Sequence, residues 1–160
     1  ENNQGFSPKR VRGLTIPGTG RMLAVDYGKA RIGLAVSDPT CTIASPIDAI
    51  NANVTDDPAS VSFIARQVAA SLIVVGLPIS MDGTHGPSAR RASSFCRRLR
   101  KLIDLPVVLW DERMTTVEAQ SRLRAGGNSP AKMRGSQRGR IDSAAAAIIL
   151  EAYMHSTQRD

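Results

Sequence analysis

Aromatic residues, cysteine and histidine are all scarce in this sequence of 160 residues. Aromatics make up only 4% of it, so the core must consist mainly of Ala, Val, Ile and Leu, which favours helices packed on a sheet. The two cysteines, Cys41 and Cys96, are far apart and form no CxxC pattern, which favours a reduced compartment. The two histidines, His85 and His155, lack the spacing of zinc ligands.

Long apolar runs are also missing. No run approaches the length that spans a membrane, and residues 1–20 lack the apolar core of a signal peptide. Because this segment is polar, basic and punctuated by Gly and Pro, we expect a linker, a tag remnant or the tail of a removed transit peptide. A single domain is expected over residues 21–156. The expected location is cytoplasmic, or a plastid or mitochondrion if a transit peptide has been removed.

Positive charge is abundant and unevenly distributed. The net charge is +7, and residues 90–140 contain 13 Lys/Arg, nearly all Arg, against four acids. The planar guanidinium group suits phosphate, so this block indicates a polyanionic partner, with nucleic acid first. A solvated surface is the alternative. Residues 124–140 contain Gly, Ser and Arg but no acid, which is typical of a basic loop.

Hydrophobic periodicity predicts the order βββαβαβαα. The predicted strands are 21–27, 31–37, 42–50, 72–78 and 106–110, and the predicted helices are 57–70, 87–103, one from Thr115 and 141–156. Three strands that can form a meander come first and alternating units follow, which favours a mixed sheet with helices on its faces. Pro46 would place the third strand at an edge or a bulge, and Gly76 and Pro78 would stop the fourth. The helix at 87–103 has an apolar stripe on one side, which is predicted to run to Leu102 and Ile103. Its other side is basic and either contacts nucleic acid or is simply solvated.

Acids stand at the ends of two predicted buried strands. Asp26 follows RMLAV, and Asp111 and Glu112 follow PVVLW. If these strands are parallel neighbours, the carboxylates emerge at the sheet end where α/β proteins bind ligands. A third acid, Asp142, opens an apolar helix.

Each acid also has a structural interpretation. Asp26 could accept backbone N–H groups in the following turn. Asp111 or Glu112 could pair with Arg113 or cap a helix, and Asp142 could interact with the helix dipole. A cluster of the carboxylates would instead suit Mg²⁺ or Mn²⁺ and, beside an arginine block, would indicate metal-assisted cleavage of nucleic acid.

Four sequence blocks together resemble the YqgF (RuvX) family. They are AVDYGKARIGLAVSDP, IVVGLP followed by MDGTHGP, WDERMTT and IDSAAAAIIL, in the family's order over residues 21–155. The resemblance implies an α/β ribonuclease H-like fold, with a three-strand meander, parallel strands and helices on both faces of a mixed sheet. Family members are described as Holliday junction resolvases and, in bacteria, as nucleases that mature the 5′ end of the small-subunit ribosomal RNA precursor.

The resemblance also implies an active site. Asp26, Glu112 and Asp142 match the family's acidic positions, so we expect them to be catalytic and to hold Mg²⁺ or Mn²⁺. Asp111 is expected to orient either Arg113 or a water bound to the metal. His85 stands where bacterial members often carry an acid. We expect His85 to be an exposed loop residue and not a general base. The expected phosphate contacts are Lys29, Arg31, Arg113, Arg134, Arg138 and Arg140.

The expected function is therefore metal-dependent phosphodiester hydrolysis at the 5′ end of a 16S-type precursor. The expected partners are structured RNA or branched DNA, with ribosomal precursor particles as a further candidate. No membrane partner is expected, and the chain is either a monomer or a homodimer. The alternatives are a Holliday junction resolvase, which should dimerise, and a non-catalytic RNA-binding ribosome-assembly factor. VDYG also resembles the first phosphate loop of actin-like and sugar-kinase ATPases, but those proteins carry two such domains.

Overall fold

The computed structural model describes residues 20–53, 57–115 and 143–158. The strands are β1 (Arg21–Tyr27), β2 (Arg31–Ser37), β3 (Ala44–Asn51), β4 (Ala70–Leu77) and β5 (Val107–Asp111). The helices are α1 (Asp57–Gln67), α2 (Pro87–Leu102) and α3 (Ala144–Thr157), with a 3₁₀ turn at Glu112–Met114. Thr115 ends that turn, and the rest of the helix predicted from it lies outside the described residues.

The strands form one mixed sheet in the order β3-β2-β1-β4-β5. β1, β2 and β3 are an antiparallel meander, while β4 pairs in parallel with both β1 and β5. The predicted mixed α/β sheet is therefore confirmed. Pro46 lies opposite Ala35 in the edge strand β3, where a residue without an N–H is tolerated. The irregular register between β2 and β3 lies further along, between Ile32 and Leu34.

Alternation along β1 sends side chains to two different cores. Leu23 and Val25 pack with α1 and α2, around Phe95, on one face of the sheet. Met22 and Ala24 pack against α3 on the other face, which we call the α3 face. Because β1 and β4 are covered on both faces, their sequences are almost continuously apolar.

Most boundaries differ from the predicted ones by a few residues, and two of the differences concern residues singled out in the sequence. β4 does not stop at Gly76, because Gly76 pairs with Trp110 and the strand continues to Leu77. Leu102, predicted to belong to the apolar stripe of α2, is 53% exposed because the helix ends at this residue. None of the described helices is long and apolar enough to cross a membrane.

Candidate active site

Asp26 lies near the end of β1, where the strand leaves the core. It pairs with Gly33 of β2, and alternation places its side chain on the α3 face with Met22 and Ala24. The residue is half-buried, and this burial raises the pKa of its carboxyl group. Within the described part of the chain, its carboxylate accepts no hydrogen bond and pairs with no cation.

Glu112 follows β5 immediately and reaches across β4. A Cβ atom built on Gly76 would lie 2.5 Å from Oε1 of Glu112 and 2.5 Å from Cδ1 of Ile149. Real Cβ atoms do not approach other atoms so closely, so a side chain at position 76 would force the ends of the Glu112 and Ile149 side chains to move. The side chain of Glu112 therefore lies over the backbone of β4, with α3 beside it.

The register of the sheet brings the two carboxylates together. Val25 of β1 pairs with Val75 of β4, so Asp26 and Gly76 are the next residues along adjacent strands. We call the site formed by Asp26, Gly76 and Glu112 the carboxylate edge. Burial, followed by the charges of Asp26 and Asp111, raises the pKa of Glu112 to about 7.

The start of the described part of α3 is held near Asp26. The backbone N–H of Leu34 donates to Oγ of Ser143 at 3.0 Å, and Leu34 follows Gly33, the pairing partner of Asp26. Ser143 is fully buried. The predicted third acid, Asp142, immediately precedes Ser143 in the sequence and lies outside the described residues, as do Arg134, Arg138 and Arg140.

Asp111 and Arg113 form a separate ion pair beside the carboxylate edge. The guanidinium NH2 of Arg113 donates to Oδ2 of Asp111 at 2.7 Å, and its Nε donates to both carboxylate oxygens at 3.1 Å. The backbone N–H of Arg113 donates to Oδ1 of Asp111, which caps the 3₁₀ turn. These bonds lower the pKa of Asp111. The capping alternative therefore describes Asp111, whereas Glu112 points elsewhere.

The loop between β4 and α2 approaches this ion pair. The charge of Asp82 helps to raise the pKa of Arg113, and the charge of His85 helps to lower that of Asp111. His85 itself is exposed, as expected for a Gly/Pro loop. Its neighbour here is the ion pair, and within the described ranges no hydrogen bond joins His85 to Asp26 or Glu112.

Lys29 lies in the turn between β1 and β2, Arg31 begins β2, and both are exposed. The N–H of Gly28 donates to the carbonyl oxygen of Arg31 at 3.1 Å and closes this turn. A Cβ atom at Gly28 would lie 2.5 Å from that oxygen, so the tight turn requires glycine. Both cations are therefore held by a rigid hairpin at the same end of β1 as Asp26.

The role of Gly76 is not evident from the sequence alone. The residue was interpreted as a strand stop, whereas it lies within β4 and accommodates Glu112. A glycine inside an otherwise continuous apolar strand often marks a close approach of another group. That signal was present, but it does not reveal which group approaches.

The chemistry of the carboxylate edge fits a hard divalent cation. Two carboxylates, both shifted toward their protonated forms, face each other with no cationic partner from residues 20–53, 57–115 or 143–158. These residues alone contain no group of three possible ligands, so they would supply two protein ligands. Oxygen donors without histidine or cysteine suit Mg²⁺ or Mn²⁺.

Comparison with known proteins identifies the family. The profile of the family described as "RuvX: Holliday junction resolvase" matches residues 20–156. The chain belongs to the RuvX family. It is also similar to a "Putative pre-16S rRNA nuclease" of Anaeromyxobacter dehalogenans, with 44% identity over 135 residues, which cover 84% of this chain and 96% of the relative. A protein of Corynebacterium jeikeium with the same name is 40% identical over 147 residues, covering 91% of this chain and 92% of that protein.

A solved structure supports the RuvX fold independently of close sequence similarity. The RuvC structure of Thermus thermophilus aligns with a TM-score of 0.57 and 12% identity, covering 87% of this chain and 96% of RuvC. At 12% identity, this similarity supports the fold and nothing more. The ribonuclease H-like fold implied by the sequence blocks is thus confirmed, and so is the family resemblance.

Proposed function

We propose that this RuvX protein is a metal-dependent nuclease that processes the 5′ end of a small-subunit (16S-type) ribosomal RNA precursor. The observation that carries this proposal is the desolvated Asp26–Glu112 pair, which has no cationic partner among the described side chains. The choice of substrate rests on the names of two relatives, which are 44% and 40% identical to this chain over the aligned residues.

Asp26 and Glu112 would hold Mg²⁺ or Mn²⁺, with Asp142 as a third ligand. Such an ion, when bound, supplies charge stabilisation at the scissile phosphate and activation of the attacking water. Asp26 lies near the end of β1 and Glu112 directly follows β5, so the sheet fixes the relative position of the two negative charges. In the metal-free chain the pKa of Glu112 is about 7, so binding of a cation there competes with a proton.

The cations around the edge would position the phosphate backbone. Lys29 and Arg31 belong to the hairpin after Asp26, and Arg113 follows Glu112 directly. Asp111 would orient the guanidinium of Arg113 through the observed pair of hydrogen bonds. Arg134, Arg138 and Arg140 are proposed as further phosphate contacts. Contacts of this kind position a nucleic acid and do not specify its sequence.

A second candidate is a Holliday junction resolvase, which the description of the matched family favours. A resolvase must cut two strands symmetrically and should therefore be a homodimer, whereas a precursor nuclease can act as a monomer. Both candidates share the carboxylate edge and differ in the nucleic acid that it receives.

A side-by-side cleavage assay tests the proposal. An RNA containing a 16S-type 5′ leader and a four-way DNA junction are each incubated with the full chain in Mg²⁺, Mn²⁺ or EDTA. The proposal expects cleavage of the RNA that depends on the metal. Cleavage of the junction alone, with light scattering showing a dimer, would replace it by the resolvase, and no cleavage of either substrate would favour a non-catalytic assembly factor.

A further inference from the structure

The outer face of α2 carries cations that the carboxylate edge does not use. Six Lys/Arg residues lie on this helix: Arg90, Arg91, Arg97, Arg98, Arg100 and Lys101. None of them forms an ion pair with a carboxylate of the described residues. Six unneutralised charges on one surface helix repel each other, so their positions call for an explanation beyond solubility.

The hydrogen bonds divide these six cations into two groups. Arg100 donates from Nε and NH2 to the carbonyl oxygen of Val107 at 3.1 and 2.7 Å, and it thereby holds the start of β5. Arg91 donates to Oγ of Ser88. Burial raises the pKa of the Tyr27 hydroxyl at the end of β1, and the guanidinium group of Arg98 acts in the opposite direction. These three cations therefore have structural partners on the flanks of α2.

The other three cations form a single row. Successive helical residues are about 100° apart, so Arg90, Arg97 and Lys101 project within about 40° of one another. The buried stripe of α2 comprises Ala89, Ala92, Phe95, Cys96 and Leu99, and this row lies directly opposite its centre. Arg97 and Lys101 are exposed and have no hydrogen bond within the described part of the chain. Arg90 donates one bond, from NH1 to the carbonyl oxygen of His85 at 3.0 Å, and keeps its charge.

The row begins at the carboxylate edge and leads away from it. β4 ends at this edge, and the loop that carries Asp82 and His85 beside Arg113 leads directly into the first turn of α2. From Arg90 to Lys101 the row extends about 16 Å along the helix axis. Arg113, Arg90, Arg97 and Lys101 thus form a series of positive charges, which we call the basic track.

We propose that the basic track binds the phosphate backbone of a second segment of the same nucleic acid whose scissile strand lies at the carboxylate edge. The inference rests on the proposed function. Asp26 and Glu112 are on the α3 face, whereas Arg90, Arg97 and Lys101 are on the opposite side of the sheet. A short single strand bound at the edge and by Arg113 therefore does not reach these three cations. The substrate class is therefore a folded or branched nucleic acid with an additional arm.

Salt-dependent binding of charge-reversed variants tests the track. Arg97→Glu, and Arg97→Glu combined with Lys101→Glu, are compared with Arg21→Glu, which changes an exposed cation at the opposite end of β1. Each protein is titrated with a folded RNA leader, a four-way DNA junction and a short single-stranded oligonucleotide, over a range of salt concentrations. Melting temperatures check that the variants fold.

For a folded substrate, the slope of log Kobs against log[salt] should fall by about 0.7–0.9 for each phosphate contact removed. Arg21→Glu should leave this slope unchanged, and binding of the short oligonucleotide should be the same in all variants. Loss with the RNA alone or the junction alone identifies which polyanion uses the track. Equal effects of Arg97→Glu and Arg21→Glu, or no change in slope, would overturn the inference.

The proposed function can fail separately. If the unmodified chain binds the folded substrates but cleaves neither, the nuclease proposal is wrong, while the slopes still decide whether the track binds phosphate. If cleavage occurs and the slopes are unchanged, the track alone is wrong.

Discussion

Asp111 and Glu112 are adjacent acids with opposite electrostatic environments. Asp111 pairs with Arg113, is partly solvated and has a lowered pKa. Glu112 reaches over Gly76 towards Asp26, has no cationic partner among the described residues and has a pKa raised to about 7. At this end of the sheet, one pair of side chains therefore balances its own charge, whereas the neighbouring pair of carboxylates does not. Only the second region has negative charge that a cation must still balance.

Replacing Asp26 should produce the largest effect. Asp26→Asn removes one charge of the carboxylate pair and should lower cleavage by about a thousandfold or more, because metal assistance is worth several kcal/mol. Binding of the nucleic acid should remain largely intact. The measurement is single-turnover cleavage in Mg²⁺, with binding followed separately.

Asp48→Asn is the matched control, because Asp48 is an exposed acid on the edge strand β3. It should cleave at the normal rate. Full cleavage by Asp26→Asn would show that the carboxylate edge is not the active site.

Filling the space at Gly76 should have the next largest effect. The added methyl group of Gly76→Ala would collide with Glu112 and Ile149, so the carboxylate must move. A displacement of about 1 Å at a reacting group costs on the order of a hundredfold in rate. Overpacking should also lower the free energy of unfolding by about 1–3 kcal/mol.

Gly86→Ala provides the comparison for this change, because no atom lies within 4 Å of a Cβ built on Gly86. Cleavage rates and urea denaturation are measured for both variants. If Gly76→Ala is as active as Gly86→Ala, the placement of Glu112 over β4 is wrong.

Glu112→Gln should change how stability depends on pH. The folded-state pKa of about 7 exceeds the ordinary value of 4.5, so the neutral carboxyl favours folding below pH 4.5 and this contribution is lost as the pH rises through 7. Metal-free Glu112→Gln should avoid this loss. At pH 8 we expect it to be about 1–2 kcal/mol more stable than the unmodified chain, which allows for screening by water.

Urea denaturation in EDTA between pH 4 and pH 8 measures this effect. The two proteins should be equally dependent on pH below 4.5 and should diverge above it. Parallel profiles up to pH 8 would show that Glu112 is not desolvated beside Asp26.

Asp111→Asn should have the smallest effect. Partly solvated ion pairs contribute little, so the free energy of unfolding should fall by less than about 1 kcal/mol and cleavage by less than about tenfold. Asp104→Asn, at an exposed position just beyond α2, is the control. A loss as large as that of Asp26→Asn would erase the distinction between the two regions and make Asp111 part of the carboxylate pair.

Much of the fold was predictable because apolar patterning reports burial directly. The continuous run in β4 and the stripe of α2 were correctly interpreted as a central strand and a one-sided helix. The sheet order requires contacts between strands that are distant in sequence, which periodicity does not contain. The element order indicated that the first three strands could form a meander in a mixed sheet, and the family resemblance supplied the ribonuclease H-like fold.

The site was predictable only in part. Asp26 and Glu112 could be placed at one sheet end, but their separation from the Asp111–Arg113 pair depends on strand alternation and on where β5 ends. The space above Gly76 depends on the side chains of Glu112 and Ile149, which approach it from two other elements. The division of the α2 cations into a group on the flanks of the helix and an outward-facing row likewise depends on partners such as Val107.

Direct titration of the full chain with Mn²⁺ by isothermal calorimetry at pH 8 tests the central claim that Asp26 and Glu112 together hold a divalent cation. We predict saturable binding that Asp26→Asn and Glu112→Gln each weaken at least about tenfold, while Asp48→Asn and Asp111→Asn bind nearly as tightly as the unmodified chain. Binding that is unchanged in Asp26→Asn and Glu112→Gln, or that is lost only in Asp111→Asn, would contradict the account.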